Sequence, residues 1–122
     1  KESSENLSLF ISRVIEIINT TSELFIIDSA HILPEDIIKY LNADKWDIYY
    51  LGYPNTTKED KLKEIRKYET EEDWTYKKSN ADLLSIFDEL ISLSKKEKVS
   101  CEKLGIKYID VSENLIEKLN IN

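Results

Sequence analysis

The chain has no methionine, one cysteine, one histidine, two arginines, two glycines and two prolines among its 122 residues. Each scarcity removes a class of function. With Cys101 alone, no disulfide can form within the chain, and a reducing cytoplasm is the expected compartment. The single histidine, His31, stands far from Cys101 in sequence, so neither a Cys–His nucleophile pair nor a zinc site is expected. The two arginines, Arg13 and Arg66, sit in a chain of net charge −7 and pI near 4.8, whose average surface repels phosphate backbones and anionic lipid. A nucleic-acid polymer and a membrane are therefore not expected partners, whereas a few placed cations could still hold a small anion. No apolar run reaches the ~20 residues of a membrane helix, and no signal-peptide pattern opens the chain. The N-x-S/T triplets at Asn6, Asn19 and Asn55 therefore carry little meaning. The lack of methionine extends to position 1, which predicts a processed or trimmed piece of something longer.

Hydrophobic residues make up 41% and charged residues 34%, enough apolar surface to offset the entropy of ordering one domain. Leu7, Phe10, Ile11, Val14, Ile15 and Ile18 recur at three- and four-residue steps and predict a helix from about Asn6 to Thr20. Glu23 to Asp28 reads as a short strand of the kind buried on both faces of a parallel sheet. Pro34, followed by Glu35 and Asp36, suits the first turn of a helix running to about Asn42. Trp46 to Leu51 predicts a second strand, ended by Gly52 and Pro54.

Thr57 is the expected N-cap of a charged helix from Lys58 to about Tyr68. After the polar stretch "ETEEDWTYKKSN", Ser79 or Asn80 caps a long helix reaching toward Cys101, with Gly105 as its C-cap or turn. Ile106 to Val111 is the third strand, and Ser112 caps a last helix through about Leu119. Strands alternating with helices predict an α/β domain, a parallel sheet covered by helices on both faces in three layers.

In open α/β sheets, ligands bind beyond the carboxyl ends of the strands. Those ends here carry Asp28, Ser29 and His31, then Gly52, Tyr53, Pro54 and Asn55, then Ser112, Glu113 and Asn114. Each has an ordinary reading as a turn or capping residue: Asp28 and His31 as turn residues, Ser112 as an N-cap. In the stretch from Arg66 to Lys78, Trp74 is costly to leave in water, so it packs beneath the loop or stacks on a partner.

The run "YYLGYPNTTKEDKLKEIRKYETEEDWTYKKSNADLLSIFDELISLSKKEKVSCEKLGIKYIDVSENL", with the earlier "LFIIDSAHILPED", resembles the carboxyl-terminal half of the small P-loop kinases, the adenylate, cytidylate and shikimate kinase-like group. The likeness lies in a strand leading to a helix with an "IR" arginine, a "DWT" segment in a lid, a long helix and a strand ending "DxS". It spans roughly residues 23 to 119. It implies a partial P-loop kinase fold and ATP- and magnesium-dependent phosphoryl transfer to a small-molecule or nucleotide acceptor. Asp28 would be the acid that fixes the magnesium water shell. Arg66 would be a lid cation on the transferring phosphate, and Ser112, Glu113 and Asn114 would lie near the nucleotide base. Such reactions rest chiefly on placed charges.

The phosphate cradle G-x-x-x-x-G-K-S/T is missing, because the only glycines, Gly52 and Gly105, are far apart. ATP and magnesium are therefore expected to bind an intact protein, and not tightly this chain. In the family a strand lies between those matching Glu23–Asp28 and Trp46–Leu51. Unless those two strands pair directly, its lack requires a shifted register, a homodimer or a strand from elsewhere. Two other readings are a small non-catalytic α/β interaction module and a receiver-like regulatory domain. The second lacks the acid cluster and the five strands such a domain needs.

Overall fold

The computed structural model describes residues 2–20, 26–29, 31–41 and 45–113. Its elements are α1 (Glu2–Ile18), α2 (Pro34–Tyr40), β1 (Tyr49–Gly52), α3 (Lys58–Tyr68), α4 (Asn80–Leu104) and β2 (Lys107–Asp110). The two strands form a parallel pair in register from Tyr49 opposite Lys107 to Gly52 opposite Asp110. A parallel pair needs a long crossover, and here α3, a turn segment and α4 provide it. The class is α/β, as the alternation of patterns predicts.

Of the expected first strand, Glu23–Asp28, residues Ile26 to Asp28 carry no regular structure, and the earlier ones lie outside the described residues. Ile26 is 98% exposed, so nothing among the described residues draws this apolar stretch into a sheet. The last helix expected after Ser112 also falls outside the described residues, apart from the bend at Ser112 and Glu113.

Local chemistry explains the helix bounds. Thr57 caps α3 by accepting from the Asp60 amide at 3.1 Å, and Ser79 caps α4 by accepting from the Asp82 amide at 3.1 Å. Gly105 closes α4 in the left-handed region at φ 71°, where glycine has no side-chain penalty. Leu33, the N-cap of α2, cannot cap with its own side chain. Instead, Ser4 of α1 accepts from the Leu33 amide at 2.6 Å and so ties the two helices together.

The core has two parts. Ile11 and Ile15 of α1 pack with Ile32 and Ile37, flanked by Leu7, Leu41, Trp46 and Tyr50. Along α4, Leu83, Phe87, Ile91, Ser94 and Cys101 form the buried stripe at helical spacing. Each large side chain taken fully from water, such as Phe87 or Leu83, contributes about 1.5–3 kcal/mol. Tyr50 points into the layer between sheet and helices and donates to the Ile32 carbonyl at 2.9 Å. On the opposite face of β1, Tyr49 and Leu51 remain 48% and 49% exposed. Among the described residues, no helix is long and apolar enough to cross a membrane.

Candidate functional site at the carboxyl ends of the strands

A parallel pair aligns its strand ends, so the turns that follow β1 and β2 meet. The Val111 amide donates to the Gly52 carbonyl at 2.8 Å and carries the ladder one step beyond the strands. Asp110, the last residue of β2, then organises both turns. Its Oδ1 accepts from the Ser112 amide at 2.9 Å and from the Ser112 hydroxyl at 2.5 Å, and its Oδ2 accepts from Asn55 Nδ2 at 2.5 Å. The Asn55 amide closes the ring by donating to Ser112 Oγ at 2.9 Å. Asn55, Asp110 and Ser112 thus form a polar knot at the sheet edge where α/β proteins bind ligands.

Ser112 is in this knot as expected, Glu113 is exposed beside it, and Asn114 lies outside the described residues. The signal for Asp110 in the sequence is the "DxS" ending of the strand. What that pattern could not show is that Asp110 reaches across to Asn55, 55 positions away.

Arg66 occupies a second polar centre, at the end of α3. Its Nε donates to Asn80 Oδ1 at 3.0 Å, one terminal nitrogen donates to Glu69 Oε1 at 2.7 Å and the Thr75 carbonyl at 3.2 Å, and the other donates to the Lys78 carbonyl at 2.6 Å. The Thr75 hydroxyl donates to the second Glu69 oxygen at 2.6 Å. The Thr75 bond, and then Arg66, hold the Glu69 carboxyl below its ordinary range. The planar fork of arginine suits this multiple binding, which lysine could not reproduce. In this conformation the guanidinium is engaged within the chain.

Asp28 is exposed in irregular backbone, followed by His31 at φ 65°. No described contact joins it to Arg66 or to the Asp110 knot. Among the described residues no group of three or more His, Cys, Asp or Glu side chains is placed to hold a metal. Asp28 is one carboxylate of the one or two that magnesium takes together with water and substrate phosphates.

Beside the sheet, Lys61 of α3 sits 4.4 Å from the centre of the Tyr53 ring. Tyr108 reaches from β2 across Gly52 and donates to the Ser94 carbonyl of α4 at 3.1 Å. Ser94 Oγ accepts from the Tyr53 amide at 3.3 Å, so α4 holds both strand ends in place. Comparison of the chain with protein-family models, with curated proteins and with solved structures finds no match.

Proposed function

We propose that the chain is the carboxyl-terminal portion of a P-loop kinase-like protein, which in its intact form transfers a phosphoryl group from ATP to a small acceptor. The observation that carries this reading is the pairing of β1 and β2 as neighbouring parallel strands, with α3, a braced turn segment and α4 between them. Among the described residues β1 pairs on one edge only, and a two-stranded sheet is marginal by itself. A further strand beside β1, and a helix over Tyr49 and Leu51, would complete the three-layer fold that the resemblance implies. In the intact protein Asp28 would join a magnesium site built with groups from outside the described residues. The Asn55–Asp110–Ser112 knot, with Glu113 and Asn114, would shape the base-side wall of the nucleotide site.

This chain, without a phosphate cradle, is inactive alone. Calorimetric titration of the 122 residues with magnesium-ATP is expected to give no tight binding. An affinity near that of an intact kinase would refute the reading. The parent reading frame is expected to encode a glycine-rich loop followed by Lys and Ser or Thr upstream of Lys1.

A second reading, a non-catalytic protein-contact module that dimerises, is favoured by the engagement of Arg66 within the chain and by the exposure of Tyr49 and Leu51. The parent reading frame separates the two: a native gene start just before Lys1 favours the module, and an upstream frame encoding a glycine-rich loop favours the kinase.

A further inference from the structure

Between Glu69 and Asn80 only Thr75 is buried, while Trp74 is 59% exposed and every other residue from 70 to 79 faces solvent. Burial of apolar surface therefore contributes little to the order of this segment. Its internal bonds are local: the Thr70 amide to Asp73 Oδ2 at 2.7 Å, the Asp73 amide to the Thr70 carbonyl at 3.0 Å, and the Tyr76 and Lys78 amides to the Asp73 and Thr75 carbonyls, both at 3.1 Å. These turns shape the segment without attaching it. Ser79 belongs to α4 as its N-cap, and the attachments described for residues 70–78 run through Arg66 and Glu69: Arg66 to the Thr75 and Lys78 carbonyls and to Asn80 at the start of α4, and Glu69 to the Thr75 hydroxyl.

We infer that residues 70–78 are a separate opening unit latched by Arg66 and Glu69, which detaches and loses its turns when the latch breaks while α3 and α4 stay folded. This inference stands independently of either reading of function. The Glu69 side chain is only 8% exposed, so its two acceptor bonds are shielded from competing water. Among the described residues the one charged side chain facing it is Arg66, from α3; the turn contributes the Thr75 hydroxyl, and α4 contributes the neutral Asn80 through Arg66. Because the Glu69 carboxyl is held below its ordinary value of 4.5, the latch is complete above that pH. It opens as the pH falls through the lower value that the folded state imposes.

The test is native-state cleavage by chymotrypsin after Trp74 and Tyr76, mapped by mass spectrometry. Arg66→Lys keeps the charge and loses the fork, and it is expected to speed cleavage at these two bonds by about fivefold or more, with the melting transition of the helices retained. Lys67→Ala, on the same turn but outside the latch, is expected to leave the rate unchanged. A smaller acceleration overturns the inference, and so does equal acceleration after Phe87, which is buried in α4. Should Arg66→Lys fail to fold, Glu69→Gln and the wild type serve. As the pH is lowered progressively from 4.5, the Tyr76 and Lys78 amides are expected to lose hydrogen-exchange protection, corrected for intrinsic rate, about fivefold or more relative to α4 amides. Parallel loss across α4 would refute the separate unit.

Discussion

Replacing Gly52 by alanine probes the closest approach in the fold. A Cβ at this position would lie 2.0 Å from the Tyr108 hydroxyl, 2.9 Å from Ser94 Oγ and 3.0 Å from Tyr108 Cζ. All three are too short, and two belong to the ring that crosses from β2 to α4. The ring must move, and with it goes the bond from the Tyr108 hydroxyl to the Ser94 carbonyl. Losing that bond costs about 0.5–1.5 kcal/mol, and overpacking adds about 1–3 kcal/mol. The expected destabilisation is therefore about 1.5–4.5 kcal/mol, read as a lowered denaturant midpoint with unchanged slope. Thermal melting should fall by about 3–5 °C per kcal/mol in a chain of this size.

Tyr108→Phe removes the closest clashing atom and leaves the ring carbon at 3.0 Å, so the double variant should recover part of the loss. The cycle should give a coupling of about 1 kcal/mol or more. A Gly52→Ala loss below about 0.5 kcal/mol, or strictly additive single changes, would refute the packing of Tyr108 over Gly52.

Three further outcomes follow from the same structure. Ser4→Ala should destabilise by about 1 kcal/mol, because the Leu33 amide at the start of α2 loses its acceptor; chemical denaturation checks this, and an unchanged midpoint would show that water replaces Ser4. Cys101 is fully buried, and burial, then Glu97 and Glu35, push its thiol up to about 11, so a thiol–disulfide reagent at pH 8 should label the native protein roughly a hundredfold more slowly than the denatured one. Burial pushes the Tyr108 phenol up to about 12 from an ordinary 10.0, so its contribution to stability is fully present below pH 10 and is lost as the pH rises toward 12. Denaturation midpoints between pH 9 and 12 should fall more steeply for the wild type than for Tyr108→Phe, with equal slopes counting against a buried neutral phenol.

Most of the secondary structure was legible in sequence because it rests on local rules. Thr57, Ser79 and Gly105 mark the ends of α3 and α4 through capping chemistry that involves only neighbouring residues. The stripe from Leu83 to Cys101 shows in its spacing which face of α4 is buried. The parallel pairing of β1 with β2 follows from alternating strand and helix patterns. The stretch "LFIID" looks like a strand just as clearly, yet Ile26 to Asp28 form none, since a strand exists only beside a partner.

Tertiary structure alone decided the roles of the polar residues. The sequence shows Arg66 as one of two arginines, and the fold surrounds it with Glu69, Thr75, Lys78 and Asn80, which makes it a brace in this conformation. Asp110 became the centre of the strand-end knot only because parallel pairing brings it to Asn55. Capping and periodicity act over a few residues and can be read directly from the chain. Which donor meets which acceptor across 55 positions depends on how the elements pack, and no local pattern encodes it.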